Sequence, residues 1–206
     1  MATNVLAPNG LLWSRNKIGA APTAQANAYN ITRGYGSNIG IGDLVKTGTG
    51  TNQGNVVISA LNDTSGLGVF AGVLPYYDIN VMQTMHGLNG SYVSTALPPV
   101  GSAVPCLVIS DPFAVFRAQM SGVTWLNSYR GQNVNWLTGT NGVPNAAGIS
   151  TLALDGTTIG TSNTLPFRIE GVVGVSGGPQ DPANTNPLVE VSFNPAWIEM
   201  LQGTGI

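Results

Sequence analysis

Apolar and polar residues alternate with a period of two through residues 111–120, DPFAVFRAQM. Phe116 and Met120 fall on one side of this segment, and Arg117 and Gln119 fall on the other. Such alternation is typical of a half-buried β-strand. A proline at position 112 and a Ser-Gly pair just behind the segment mark the two ends of the strand. We therefore predict a central strand here.

Similar short apolar or β-branched runs recur along the chain, separated by Gly, Asn, Asp and Pro. This spacing is typical of all-β proteins. The predicted fold class is accordingly all-β, either a single β-barrel or a two-sheet sandwich. The predicted strands lie at residues 28–32, 44–47, 56–60, 68–74, 92–96, 103–110, 114–120, 134–137, 151–154, 167–175 and 189–193.

Residues 1–27 show neither a helical nor a strand period and are interrupted by proline and glycine. We predict that they form an extended N-terminal arm, followed by one β domain at residues 28–206. Leu11, Leu12 and Trp13 form a bare apolar triplet within this arm. Such a triplet must be buried, either on its own domain or on a partner, because exposed apolar groups are costly in water.

A short helix is predicted near the end of the sequence. Asn194 suits the N-cap, Pro195 the first helical position, and Gly203 the stop. The helix would present several large apolar side chains, which we predict as contacts with a partner or a second subunit, together with Leu11, Leu12 and Trp13. They are Trp197, Ile198, Met200 and Leu201.

Composition argues against two classes of partner. Charged residues make up 8% of the chain, against roughly 25% in an average soluble domain. The seven Lys and Arg are scattered and the net charge is −2, so no basic stripe is present and we predict no nucleic-acid partner. No apolar run approaches the roughly 18 residues of a spanning helix, and no signal peptide is evident. We expect no membrane partner and a reducing, soluble compartment.

The single cysteine and the single histidine limit the possible chemistry. Cys106 lies in an apolar run, so we predict a buried structural side chain and no intrachain disulfide. Both Ser-His-Asp and Cys-His catalysis would depend on His86, which we interpret as structural. A metal site needs three or four ligands. We therefore predict neither a metal nor a cofactor.

The carboxylates also have structural explanations. Glu170 and Glu190 alternate outward on their strands with Arg168, which predicts cross-strand charge pairing. We therefore predict no paired-carboxylate enzyme. Five aspartates stand in turn-like sequences, where Asx-turns account for them; they are Asp43, Asp63, Asp78, Asp155 and Asp181.

Turn glycines and strand residues between positions 27 and 194 occur in an order that resembles a known family. The stretches are 27–45, 66–73, 76–78, 111–113 with Phe116 and Gln119, 154–155, 165–171 and 189–194. In these stretches the chain resembles small virion proteins of tailed bacteriophages that are encoded near the major capsid protein. The resemblance implies a head cement or decoration protein that binds the outer surface of the major capsid protein lattice and stabilises the head. It implies no active-site residues.

On this interpretation the protein belongs to the virion and is assembled in the host cytoplasm. Its partners would be the major capsid protein and itself, as a homo-oligomer in which a trimer is favoured, because structural lattices repeat contacts by symmetry. The alternative is a head fibre or lectin-like module that binds host glycans. In that case aromatic side chains would stack on sugars; the candidates are Tyr76, Tyr77, Trp125 and Trp136.

Overall fold

The computed structural model describes residues 6–18, 26–78, 83–85, 90–94, 103–173 and 182–201. Within these ranges the chain forms strands, turns and short 3₁₀ helices, but no α-helix, which confirms the predicted all-β fold class. In chain order the strands are β1 (Leu12–Asn16), β2 (Ala26–Ile31), β3 (Leu44–Thr47), β4 (Val56–Ile58), β5 (Gly68–Val73), β6 (Tyr76–Asp78), β7 (Gln83–Met85), β8 (Val104–Ile109), β9 (Ala114–Ser121), β10 (Asn133–Trp136), β11 (Leu154–Gly160), β12 (Phe167–Val172) and β13 (Leu188–Phe193).

Five strands close into a β-barrel in the order β9-β11-β10-β12-β13, and β13 pairs back onto β9. Most neighbours are antiparallel, but β11 runs parallel to β9, with Leu154 opposite Met120. Strand β1 joins β9 as an additional antiparallel neighbour, with Leu12 opposite Arg117. Strand β9 therefore pairs with three others along its length, which makes it the central strand of this half of the molecule.

The second sheet is antiparallel, with the order β2-β8-β5-β3-β4. Strands β2 and β8 pair over their whole length, from Ala26 opposite Ile109 to Ile31 opposite Val104. The two edge strands, β2 and β4, approach each other. The sheet is therefore strongly curled, and a gap between β2 and β4 remains along one side. Strands β6 and β7 form a separate two-stranded pair.

The second sheet is buried on both faces. On β3, Leu44 joins the core of the barrel, whereas Val45 joins a separate core on the far side. Strand β8 repeats this arrangement with Ile109 and Val108, because successive side chains of a strand point to opposite faces. Burying each such side chain stabilises the fold by about 1.5–3 kcal/mol. The barrel and the second sheet thus share a core.

The strand predicted at residues 114–120 is confirmed as β9, but it is more deeply buried than its period suggests. Phe116 packs edge-to-face on Phe193, with ring centroids 5.3 Å apart. On the opposite face Val115 is also fully buried, and Gln119 is only 6% exposed. The buried amide of Gln119 has a hydrogen-bond partner, because its Oε1 accepts from the Ala7 N–H at 2.7 Å. The N-terminal segment thus covers part of the outer face.

Several strand predictions differ from the structure. The prediction at residues 151–154 is displaced, because β11 begins at Leu154 and continues through a polar stretch to Gly160. Thr151 lies in a loop, where its hydroxyl donates to the carbonyl of Val143. At 92–96 only an isolated bridge at Tyr92 is found, and residues 95–96 lie outside the described ranges. Strands β1, β6 and β7 were not predicted.

The helix predicted from Asn194 is wrong. The chain forms a turn and then a 3₁₀ helix at Glu199–Leu201. The reason is a long-range bridge: the Gly66 N–H donates to the Trp197 carbonyl, and the Glu199 N–H donates to the Gly66 carbonyl. This pairing holds Ile198 in an extended conformation, which an α-helix does not allow.

Candidate functional site

The three contact residues predicted in the arm have different environments. Leu11 is buried in the barrel core, with 2% of its surface exposed, and Trp13 is half-buried against the same core. Leu12 points outward and is 45% exposed. The chain's own core therefore takes two of the three side chains. Of this triplet, only Leu12 has a side chain largely free to contact a partner.

The contact residues predicted near the end of the sequence require a correction. Trp197 and Ile198 are buried in the barrel core and cannot serve as surface contacts in this structure. Trp197 packs edge-to-face on Trp136, at a ring-centroid distance of 6.4 Å. Leu201 is 48% exposed and stays a candidate. The side chain of Met200 lies outside the described part of the structure.

The exposed apolar surface is concentrated in and beside the N-terminal segment. Of the eight large apolar side chains exposed among the described residues, four are Leu6, Leu12, Ile18 and Phe113. Phe113 lies next to the end of β1, because its carbonyl accepts from the Lys17 N–H at 3.0 Å. We call these four exposed side chains the arm surface. The sequence prediction missed Leu6, Ile18 and Phe113, although Ile18 stands between Lys17 and Gly19 and Phe113 follows a proline.

Charges beside the arm surface are paired within the chain. Glu190 on β13 accepts from Nη2 of Arg15 at 3.0 Å and from the hydroxyl of Ser14 at 2.7 Å. The Nε of Arg117 on β9 lies 3.7 Å from the same carboxylate. Cross-strand pairing of Glu190 was predicted, but these partners replace the expected Arg168. Exposed ion pairs of this kind contribute about 0.2–1 kcal/mol each.

A second carboxylate, Glu170 on β12, binds Lys17 at 2.5 Å and accepts from the Ser192 hydroxyl at 2.7 Å. Partial burial works to raise the pKa of Glu170. The two hydrogen bonds and the positive charges of Lys17 and Arg168 outweigh that effect, so the pKa is lowered. Glu170 is therefore held as an anion, which suits an ion pair and does not suit a general acid.

Asp43 is the most deeply buried carboxylate of the described residues, with no exposed surface. It accepts hydrogen bonds from the Ser150 hydroxyl, from the Gly40 N–H at 2.6 Å and from the Gly142 N–H at 3.0 Å. Burial raises the pKa of Asp43, although all three hydrogen bonds work in the opposite direction. Its partners come from two separate loops. Asp43 thus ties the loop around Gly142 to the start of β3, a structural role.

Cys106 is fully buried in the second core, as predicted. Burial raises the pKa of its thiol to about 12. A thiol with such a pKa is not a nucleophile at neutral pH. His86 lies outside the described residues. Within the described ranges, no three His, Cys, Asp or Glu side chains come together in a group that could hold a metal ion.

The aromatic residues proposed to stack on sugars do not form one set. Trp136 is buried in the barrel core, and Tyr76 packs against the other core, beneath the second sheet. Trp125 is half-buried and makes an edge-to-face pair with Tyr129, at a centroid distance of 6.1 Å. The side chain of Tyr77 is outside the described structure. The described residues therefore provide no shared platform for a glycan.

A hollow of about 230 Å³ opens where β2 and β4 approach each other. Its walls are mostly apolar, and one carboxylate, that of Glu199, lies in its lining. The Glu199 Oε2 accepts from the Thr47 hydroxyl at 2.7 Å. The sequence prediction did not single out this site. Its lining residues are Tyr29, Thr47, Gly54, Asn55, Val56, Leu67 and Glu199.

No protein-family model, no curated protein and no solved structure matches this chain. The structure defines the molecule as an all-β protein with a closed five-stranded barrel and a second antiparallel sheet packed against it. Among the helices of the described ranges, none has the length and apolar character needed to cross a bilayer.

Proposed function

We propose that this protein is a structural virion protein, a capsid cement or decoration protein of a tailed bacteriophage. It binds the outer surface of the major capsid protein lattice and stabilises the head. The observation that carries the proposal is the arm surface: Leu6, Leu12, Ile18 and Phe113 are exposed within or beside one short segment. Exposed apolar side chains that recur along one segment offer contacts to a partner. The sequence resemblance suggests the partner.

The pairing of charges within the chain is consistent with this role. Four of its Lys and Arg side chains lie within ion-pair distance of carboxylates of the same chain: Lys46 with Asp63 at 2.5 Å, Lys17 with Glu170, and both Arg15 and Arg117 with Glu190. A protein that covers a lattice is placed beside many copies of itself. Its copies would repel one another if each carried a large net charge. A low net charge with internally paired groups keeps that repulsion small.

The stabilising mechanism is binding linkage. A protein that binds the closed shell and not its dissociated subunits stabilises the shell by about 2.7 kcal/mol per site when its free concentration is 100 times its dissociation constant. Assembly as a trimer at local symmetry axes would let one molecule clamp several neighbouring subunits at once. The proposed location is the capsid of the virion, after assembly in the host cytoplasm, and no catalytic activity is involved.

The test is a titration of the purified protein onto expanded empty capsids of the virus that encodes it, followed by thermal melting of the shells. We expect the wild-type protein to raise the melting temperature of the shells. Leu12→Glu places a charge in the arm surface and should reduce both binding and the rise in melting temperature. Leu61→Glu makes the same change at an exposed position after β4 and is the matched control. Wild-type protein that fails to raise the melting temperature would contradict the proposal.

A further inference from the structure

We propose that the hollow between β2 and β4 is a binding site for one lysine or arginine side chain of a partner protein. Four features of the hollow support it. Its lining includes an acidic group, no Lys or Arg of the described residues pairs with that group, its walls suit a long basic side chain, and the backbone that carries the acidic group is anchored by hydrogen bonds. The identification of the partner as a subunit of the viral shell rests on the function proposed above, whereas the chemistry of the hollow does not depend on it.

The acidic group is Glu199. Among the three glutamates of the chain, Glu170 and Glu190 each pair with a Lys or Arg, whereas no Lys or Arg of the described residues lies within ion-pair distance of Glu199. Its closest donor is the Thr47 hydroxyl at 2.7 Å, and its Oε1 has only the longer contacts of 3.4 Å to the Thr47 N–H and 3.5 Å to the Ser65 hydroxyl. A carboxylate offers about four lone-pair positions. It therefore keeps the capacity to accept a strong, charge-assisted hydrogen bond.

The walls suit the stem of a long basic side chain. Val56 and Leu67 are buried apolar residues, and Tyr29 also forms part of the lining. Lys and Arg bury their methylene stems on apolar surface while the charged head reaches a polar group. A tyrosine ring also attracts a cation placed over its face. The volume of about 230 Å³ is below the range of about 300–1,000 Å³ that is typical of pockets for drug-sized ligands, so a single side chain is the fitting occupant.

The segment that carries Glu199 is anchored by hydrogen bonds and by a buried neighbour. The Glu199 N–H donates to the Gly66 carbonyl at 2.8 Å. The neighbouring Trp197 is buried, and its Nε1 donates to the Asp63 carbonyl at 3.0 Å. The carboxylate is therefore attached to a segment fixed at both backbone and side chain. Binding to a group that is already in place loses less entropy than binding to a mobile one.

The first experiment tests the hollow alone. Nα-acetyl-lysine-N-methylamide is titrated into the ¹⁵N-labelled protein, and the amide shifts of Val56 and Leu67 are followed. We expect saturable shifts with a dissociation constant in the millimolar range. Glu199→Gln should bind about tenfold or more weakly than the wild type, because a hydrogen bond to a charged group is lost. Asp155→Asn removes the same charge from strand β11, which does not line the hollow, and should bind as the wild type does.

Nα-acetyl-norleucine-N-methylamide has a similar stem without the ammonium group and should not saturate these shifts. Equal binding of the two compounds, or equal binding by wild type and Glu199→Gln, would overturn the proposal. Binding that appears only after deletion of residues 202–206 would also overturn it, because the chain itself would then be the occupant.

The second experiment separates the site from the function. Glu199→Gln and Asp155→Asn are titrated onto the empty shells. Weaker binding of Glu199→Gln alone would support a shell lysine or arginine as the occupant. If wild type binds shells and Glu199→Gln binds equally well, the shell role of the hollow is wrong and the proposed function stands. If the wild type does not bind shells but does bind the lysine derivative, the function fails and the hollow remains a site for a basic side chain.

Discussion

Gly66 lies directly beneath the ring of Trp197. A Cβ added at Gly66 would come within 1.8 Å of Trp197 Cη2, a distance that no packed structure tolerates. We therefore expect Gly66→Ala to destabilise the protein by about 1–3 kcal/mol or more, through displacement of the indole from the core. Gly36→Ala is the matched control, because nothing lies within 4 Å of its Cβ. Urea unfolding of the two variants should show the difference, and equal midpoints would contradict the packing described here.

Asp43 should make folding dependent on pH in an unusual direction. Burial raises its folded pKa above the ordinary value of 3.8, so the folded chain binds this proton more tightly than the unfolded chain. The stability that this group contributes is then largest below pH 3.8 and declines as the pH rises through the raised pKa. We expect Asp43→Asn, which cannot titrate, to lose less stability than the wild type over that range. Unfolding free energies measured from pH 3.5 upward test this, and parallel profiles would refute it.

The Asn side chain at position 43 should also reduce stability at neutral pH. It cannot accept hydrogen bonds through both of its terminal atoms, so one backbone N–H of Gly40 or Gly142 would face another donor. Leaving such a buried group unsatisfied costs about 1–3 kcal/mol. The same unfolding series measures this loss.

Glu170 should have the opposite effect. Its folded pKa is lowered below the ordinary 4.5, despite partial burial, by Lys17, Ser192 and Arg168. Its stabilising contribution is therefore present above pH 4.5 and is lost as the pH falls through the lowered pKa. Glu170→Gln should lose less stability than the wild type on acidification. The effect is small, about 0.2–1 kcal/mol, because the pair is partly exposed. A steeper acid transition in the variant would contradict this expectation.

At the scale of elements, only some side chains of β1 pack on the barrel and help to hold the strand on β9. Trp13 packs against the barrel core, whereas Leu12 beside it is exposed. We expect Trp13→Ala to destabilise the protein by about 1–3 kcal/mol and to increase hydrogen exchange of the β1 amides. Leu12→Ala should change stability by less than about 0.5 kcal/mol. Equal exchange rates in the two variants would show that β1 does not depend on the indole.

The sequence predicted the strands that carry an apolar period and missed those that do not. Strand β9 was identified because its apolar residues alternate, and β13 for the same reason. Strand β11 was displaced because Asp155–Gly156–Thr157 has the composition of a turn, yet its backbone is needed to close the barrel beside β9. Barrel closure is a long-range requirement, which a local pattern does not contain.

The candidate contact residues illustrate the same limit. Trp197 and Ile198 were expected at the surface because a local helix pattern exposes them, but Gly66, distant in sequence, offers space that an indole fills. Glu199 was overlooked because the hollow that it lines is formed by strands β2 and β4, which meet only in the folded chain. Leu12 is exposed and stays a predicted contact, because an apolar residue in a segment without an apolar period is visible in the sequence alone.

At the scale of the whole molecule, the barrel and the second sheet should unfold together. Leu44, Val69 and Ile109 of the second sheet lie in the barrel core, so neither part is complete without the other. All four tryptophans lie in or against the barrel core, and their fluorescence reports on that half. The Val108 amide reports on the second sheet.

We expect the fluorescence change and the loss of the Val108 amide signal to have the same urea midpoint. Val69→Ala should shift both midpoints by the same amount, because it weakens the shared core, with an expected loss of about 1–3 kcal/mol. If the Val108 signal disappears at a lower urea concentration than the fluorescence changes, the two halves are separate folding units.

The burial of Cys106 has a practical consequence for imaging. Because the only thiol of the chain is buried in the second core, the native exterior offers no cysteine to maleimide dyes or gold clusters. A cysteine introduced at Val143, which is 49% exposed, would be a unique attachment point. On the shells that the proposed function names, each bound copy would then carry one marker at a known position, and electron micrographs would count and locate the copies directly.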